Sequence, residues 1–355
     1  MGRRNKKGRR IHGVLLLDKE TGCSSNQALQ RVKWLYDANR AGHTGSLDPL
    51  ATGMLPVCFG EATRLSSWLL DADKEYIATA QLGVTTDSGD ADGQMLASNK
   101  VPESLDHESL VAVANRFQGP IQQIPPMYSA LKVNGERLYK LARRGESVER
   151  AARNVTISEI EVVSFDDSIA VFRVRCSKGT YIRTLVEDIG QAIGCGAHIR
   201  ELRRTGVASF RPEEMISEAS LRHQCATGLP VAEGSPERDG FDQSLLDGHL
   251  LPVDVLVRHL QAVSVTEEMQ GRFQRGQGFA CSAYNSTMST AEPLRVYCET
   301  RFLGLAMPVT EALSTQDVAK SVTQDVTRGV SQSLGEGTIG PAQGHHARPV
   351  RVLNL

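Results

Sequence analysis

The sequence carries few of the signatures from which an enzyme class is usually read. It has no P-loop, no H-E-x-x-H helix and no C-x-x-C pair, so nucleotide phosphoryl transfer, zinc proteolysis and dithiol chemistry lack the residues they require. The seven cysteines (Cys23, Cys58, Cys176, Cys195, Cys225, Cys281, Cys298) are odd in number and scattered, which argues against a disulfide framework or a zinc site and fits a reducing cytoplasm. The formal net charge is only −1, and a polyanionic partner must therefore be met by local patches. The apolar run Val14-Leu15-Leu16-Leu17 is too short for a signal-peptide core and far too short to span a bilayer, so a soluble protein is expected. A calcium loop is excluded at Asp87 to Gly93, where Ser88 and Asn99 stand in the places an EF-hand needs for acids.

What is present is one stretch around which the chain is organised, Gly42 to Gly60, containing His43-Thr44-Gly45-Ser46-Leu47-Asp48-Pro49-Leu50-Ala51-Thr52-Gly53-Met54-Leu55. It is expected to be a loop. Its glycines admit backbone conformations closed to other residues, and Pro49 fixes φ directly after Asp48, so the carboxylate is held in place. No cation adjoins Asp48 in sequence; a charge partner must come from elsewhere in the fold. By residue type alone the stretch reads first as an Asp-Pro turn on a glycine hinge, and second as a fixed nucleophile.

Around it, 355 residues leave room for two domains. Residues 1–10 form a basic arm with no acid, expected to be mobile and free to touch phosphates. A short strand ends at Asp18-Lys19, and Ser24 with Gln27 caps a helix whose core face is Ala28, Leu29, Val32, Leu35 and Tyr36. Lys19, between the two, is expected to be exposed and near the Asp48 loop. A helix over 61–71 is predicted with Ala62, Leu65, Leu69 and Leu70 inward, then a strand starting near Tyr76, an aromatic that suits packing or the stacking of an extruded base. Residues 132–153 hold seven Lys or Arg against three Glu, including Lys132, Arg143 and Arg144, with Tyr139 among them; charges for phosphates and rings for bases are what looped RNA asks for. A hairpin over 155–176 leads to Lys178-Gly179-Thr180-Tyr181-Ile182-Arg183, placing Tyr181 and Arg183 on the first turn of a helix that stops at Gly194. Arg183 there is a candidate partner to keep Asp48 ionised and aimed, or else a surface arginine. Arg200, Arg203 and Arg204 add further positive charge within reach of phosphates. Residues 225–248 read as a loop-rich connection, 250–312 as a small β-barrel, and 314–355 as a disordered tail.

The stretch His43 to Leu55, the run Lys178 to Arg183 and the run Ala197 to Val207 together resemble the TruB family of tRNA pseudouridine synthases, over roughly residues 11–222. Glu20 departs from the pattern, which commonly has proline after the lysine. The resemblance implies an α+β fold with a mixed, largely antiparallel sheet flanked by helices (residues 11–249), an RNA-closing thumb at about 122–153, and a PUA-like C-terminal barrel (250–313). It implies isomerisation of uridine to pseudouridine at position 55 in the TΨC loop of tRNA by a cytoplasmic monomer that needs no cofactor or metal. Asp48 would be the nucleophile, Arg183 its orienting partner and Tyr76 a stacking platform and proton acceptor. Tyr181 and Leu202 would line the pocket, His43 would fill the space the base vacates or hold its neighbour, and Lys19 and Asp90 would support the site. Two other readings compete: a non-catalytic tRNA-binding or folding protein, and a glycoside hydrolase using Asp90 as acid.

Overall fold

The computed structural model describes residues 8–133, 135–225, 242–280, 291–309 and 346–355. The chain divides into two compact units, Met1–Leu251 and Pro252–Leu355, each taken by itself.

The first unit is built on one nine-stranded sheet. In chain order its elements are β1 (Gly13–Lys19), α1 (Ser25–Leu35), β2 (Ala41–His43), β3 (Thr52–Phe59), α2 (Ser66–Asp71), β4 (Lys74–Leu82), β5 (Val84–Thr86), β6 (Met95–Ser98), α3 (His107–Asn115) and β7 (Gly119–Gln123). There follow β8 (Lys132–Val133), β9 (Glu136–Arg137), α4 (Leu138–Arg143), β10 (Arg153–Asp166), β11 (Ile169–Cys176), α5 (Ile182–Ile193), β12 (Ala197–Val207), β13 (Ile216–Ser217) and α6 (Glu218–Cys225). The strand order is β13-β1-β3-β12-β4-β11-β10-β7, with β2 paired to β3. Only β1 with β13 and β3 with β12 run parallel, so the sheet is mixed and largely antiparallel. Central strands β1 and β3 are buried on both faces and read as continuous apolar runs, whereas β4 alternates buried and half-buried residues.

Local chemistry explains the helices that bear on the site. Ser24 and Gln27 form the reciprocal capping box of α1, and Ala28, Leu29, Val32, Leu35 and Tyr36 are all buried. Helix α5 buries Ile182, Leu185, Val186 and Ile189, and ends at Gly194 with φ 94°, a left-handed stop that glycine adopts without strain.

Several expectations are corrected. The stretch 42–60 is not one loop: its second half is β3, and the true loop is residues 44–51. Met54 to Phe59 are buried between β1 and β12, because strand pairing outweighs the loop propensity of Gly53 and Pro56. The helix over 61–71 breaks at Leu65 into a 3-10 turn, Gly60–Arg64, and α2, which turns Leu70 outward to 43% exposure. Of the basic arm, residues 1–7 lie outside the described residues. Arg9 is tied down, donating to the Gln243 carbonyl at 3.2 Å and pairing with Asp247. Most of the predicted 225–248 connection, residues 226–241, also lies outside the described residues; Gln243–His249 is a 3-10 turn.

The second unit holds β14 (Ala262–Ser264), α7 (Glu267–Gln274), β15 (Phe279–Ala280), β16 (Leu294–Cys298), β17 (Arg301–Val309) and β18 (His346–Val352). Its sheet runs β14-β16-β17-β18-β15 over a core of Val263, Phe273, Phe279, Leu294, Val296 and Leu303. The two outer strands, three and two residues long, do not pair with each other, so among the described residues the sheet is open and no closed barrel is seen. Strand β18 also corrects the expectation of a tail without structure: its end pairs antiparallel with β17 from Gly304–Val352 to Val309–His346. Residues 310–345 lie outside the described residues. No helix among the described residues is long and apolar enough to cross a membrane.

Candidate active site

Asp48 sits on the loop between β2 and β3, and that loop is fastened on every side. The Ser25 hydroxyl, at the start of α1, both accepts from the Leu47 amide (2.7 Å) and donates to its carbonyl (3.0 Å). The Thr44 amide donates to Pro56 (3.1 Å) and the Gly22 amide to Pro49 (2.9 Å). Lys19 works from beneath. It is 1% exposed, and its ammonium donates to the carbonyls of Ala51 (2.7 Å), Glu20 (2.8 Å) and Pro49 (3.4 Å). The expectation of an exposed lysine is therefore corrected: the last residue of β1 turns inward, where three carbonyls replace its water. Burial pushes its ammonium below the ordinary value, and the Cys23 and Asp48 charges oppose that.

Arg183 reaches the loop from the first turn of α5. Its guanidinium, 5% exposed, lies 2.9 Å from the Asp48 carboxylate and 3.3 Å from that of Asp90, and donates to the carbonyls of Ser88 (2.8 Å) and Tyr128 (2.7 Å). One fork thus holds two carboxylates and two main-chain oxygens. The Asp48 side chain keeps 43% of its surface open, the opening through which a substrate must come. The crowding walls push its carboxyl above the usual carboxylate range, with Arg183 the main influence pulling it down and Asp90 pushing it up. Asp90 itself is 5% exposed and also accepts from the Ser88 hydroxyl and the Asp92 amide (3.2 Å). A carboxylate bound this fully is a brace for Arg183 and not a free acid, which removes the support for the glycoside hydrolase reading.

Glu187, one turn along α5, was not singled out by the sequence. It packs against Gly89, where a Cβ would come within 2.8 Å of its carboxylate. Burial raises its carboxyl to about 7, against the pull of Arg183 and with Asp188 and Asp90 adding to the rise. The folded state therefore binds a proton that the unfolded chain releases above its ordinary value of 4.5, so stability falls as pH rises between about 4.5 and 7. Glu187→Gln should remove that slope. Thermal melts should show the variant more stable than the parent at pH 8, by on the order of 1–3 kcal/mol, and close to it at pH 5; equal effects at both would contradict the account.

The floor of the cleft comes from β4 and β12. Tyr76 (9% exposed) and Leu202 (8% exposed) lie on these neighbouring strands. Arg204 stands opposite Tyr76 in the pairing of β12 with β4, and opposite Gly53 in the pairing with β3. Gly53 has φ 96°, and a Cβ there would fall 2.2 Å from the Arg204 carbonyl, so only glycine lets β12 approach. Arg204 is 1% exposed and donates to the carbonyls of Met54 (2.7 Å) and Gly45 (3.3 Å). Its placement on phosphates is corrected: the chain direction of β12 turns it into the interior. Burial pushes the Tyr76 phenol up, and Arg204 is the foremost influence holding it down. Burial and then Arg204 lower His43, whose Nδ1 is buried with no hydrogen-bond partner among the described residues. Tyr181 caps the start of α5. Its amide donates to the Gln123 side chain (3.0 Å), which donates back to the Tyr181 carbonyl (3.2 Å). Burial raises its phenol too.

The remaining basic residues separate by what they touch. Lys132, Arg143 and Arg200 are exposed, and Arg143 lies over the Tyr139 ring at 5.7 Å. Arg144 pairs with Glu136 (2.7 Å) and Glu146 (2.6 Å), bracing the segment. Arg203, its side chain partly exposed, grips Asp18 with both nitrogens, at 3.0 and 2.7 Å.

A carboxylate fixed on a loop, aimed by a buried arginine and set beside a buried tyrosine, on a mixed sheet of this order, is the arrangement of a pseudouridine synthase. The description "TruB family pseudouridylate synthase (N terminal domain)" matches residues 33–182, and "tRNA pseudouridylate synthase B C-terminal domain" matches 183–258. The chain is 50% identical over 269 residues to tRNA pseudouridine synthase B of Pseudomonas paraeruginosa, covering 76% of this chain and 84% of that one. It is 47% identical over 309 residues to the enzyme of the same name from Chromohalobacter salexigens, covering 87% and 94%. Among solved structures it is similar to a chain of a Cbf5-Nop10-Gar1 complex, with TM-score 0.63 and 25% identity, covering 91% and 84%. The chain belongs to the TruB family.

Proposed function

We infer that this chain isomerises uridine to pseudouridine in tRNA, at position 55 of the TΨC loop, with Asp48 as nucleophile. The observation that carries the reading is the half-open Asp48 carboxylate paired at 2.9 Å with a guanidinium that is itself buried. Isomerisation breaks the bond from N1 to C1′, turns the base and joins C5 to C1′; the hydrogen on C5 leaves and N1 gains one. Bonds broken and made balance without redox or group transfer, so no cofactor enters the scheme. A carboxylate is suited to attack an electron-poor centre and then to leave, and Arg183 keeps it ionised against the walls of the cleft. The target base must leave its stack, costing roughly a few kcal/mol; the Tyr76 ring and Leu202 offer it a new face, and the half-buried His43 ring stands ready to meet a neighbouring nucleotide. Residues 122–153 act as the thumb that closes over the RNA, with Lys132 and Arg143 on phosphates and Arg200, exposed on β12, joining them. The second unit takes the PUA-like, RNA-contacting role. The protein works as a monomer in the cytoplasm, where buried free thiols such as Cys58 and Cys176 suit the reducing conditions.

The reading is tested with a tRNA transcript carrying tritium at C5 of its uridines. One tritium per tRNA should reach solvent, since C5 sheds its hydrogen once per isomerisation; RNA bound tightly with no release supports the non-catalytic tRNA-binding reading instead. The salt bridges divide the arginines in a second test. Arg143→Gln should weaken tRNA binding and lower its salt slope by about one, while Arg144→Gln, whose charge already faces two glutamates, should leave the slope within about half a unit. Equal changes in slope would contradict the assignment.

A further inference from the structure

Arg204 is a full positive charge in the middle of the central sheet, the largest side chain among the nearly inaccessible ones. Such a charge is costly to bury unless something compensates it. Among the described residues its guanidinium donates to two main-chain carbonyls, Gly45 and Met54, and to the Tyr76 phenol oxygen, and has no carboxylate ion pair. Those carbonyls bracket the Asp48 loop, one on each side, and the phenol of Tyr76 lies directly across the strand pairing. Neighbouring cations make the position less favourable still: Lys19 and Lys74 are buried within range of the same charge. Carbonyls and a phenol, all neutral acceptors, would be served equally by a neutral donor, so the charge itself calls for an explanation.

We propose that Arg204 is a positioning residue for the isomerisation, which clamps both ends of the Asp48 loop from below and supplies the uncompensated positive charge that favours the phenolate of Tyr76, the form in which Tyr76 can take up the proton shed from C5 of the base. This rests on the reading of the chain as a pseudouridine synthase. The charge is stored when the chain folds, so no reorganisation is needed to hold Tyr76 without its proton until the hydrogen from C5 arrives and returns it to the phenol. Burial opposes a negative Tyr76, and Arg204 is the foremost influence in the other direction.

The test separates charge from hydrogen bonding. Arg204→Lys keeps the charge and loses the fork; Arg204→Gln keeps a donor for a carbonyl and loses the charge. Single-turnover rates on an unmodified tRNA transcript should fall about tenfold for Lys and about a hundredfold or more for Gln, with the tRNA Kd of both within about threefold of the parent. In a Tyr76→Phe background, exchanging Arg204 for Gln should cost less than about fivefold more, because the group through which the charge acts is gone. Equal losses for Lys and Gln, or an undiminished Gln effect in the Tyr76→Phe background, overturn the proposal. If the Gln variant fails to melt cooperatively, the Lys variant decides: a loss as large as about a hundredfold rejects the role of charge. Parent protein that yields no pseudouridine rejects the underlying reading instead.

Discussion

Asp48→Asn should lower the single-turnover rate of pseudouridine formation by at least about ten-thousandfold, with tRNA affinity within about threefold of the parent. The amide is nearly isosteric and can still accept a hydrogen bond from Arg183, so the loop, fastened by Ser25, Lys19 and the Gly22 amide, has no reason to move. What is lost is the charge. A neutral amide oxygen is a poor nucleophile and a poorer leaving group, so the defect falls on the chemical step. The binding surface, made of exposed basic residues elsewhere, is untouched. A parallel loss of affinity and rate would place Asp48 in RNA binding and remove it from the chemistry.

Arg183→Met should be nearly as severe, and it should differ from Asp48→Asn in two ways. First, it strands Asp90, a carboxylate 5% exposed, which the Ser88 hydroxyl and Asp92 amide only partly satisfy; an uncompensated buried charge of this kind costs about 3 kcal/mol or more, so the melting temperature should drop as well as the rate. Secondly, Arg183 is the chief influence holding the Asp48 carboxyl down against burial. Without it the carboxyl rises further, and the acid side of the rate profile should move to higher pH, since Asp48 is protonated and inactive below its own ionisation. Arg183→Lys, which restores the charge and not the fork, should recover part of the stability and part of the acid limb. An unshifted acid limb in the Met variant would show that Arg183 does not set the ionisation of Asp48.

The positions of Asp48 and Arg183 were legible because each residue announces its place locally, whereas their pairing rested on the family resemblance. A proline and glycines fix the first, and a strand-to-helix junction presents the second; the fold had only to bring the junction to the loop. The helices α1 and α5 were legible for the same reason, their caps and apolar spacing lying within a dozen residues. The run Leu202-Arg203-Arg204 was not. As a sequence it is a basic patch, but β12 sends Leu202 and Arg204 inward and Arg203 outward to Asp18. Which arginine is buried depends on Gly53 of β3, about 150 positions away in the chain. Lys19 is equally hard to place from the sequence, because only main-chain carbonyls of its own turn and of the neighbouring loop make burial of its ammonium tolerable. Glu187 has no sequence signal at all, and its raised carboxyl arises from packing against Gly89. Strand β18 was missed because its seven residues have meaning only against β17, on the far side of a low-complexity stretch.

The most direct measurement is to incubate an unmodified tRNA transcript with the parent protein and with Asp48→Asn, side by side, and to map pseudouridine along the RNA. A single new pseudouridine in the TΨC loop from the parent, with none from the variant while both retain the RNA, is the expected result. Pseudouridine at that site from Asp48→Asn at a rate comparable with the parent would contradict the central claim.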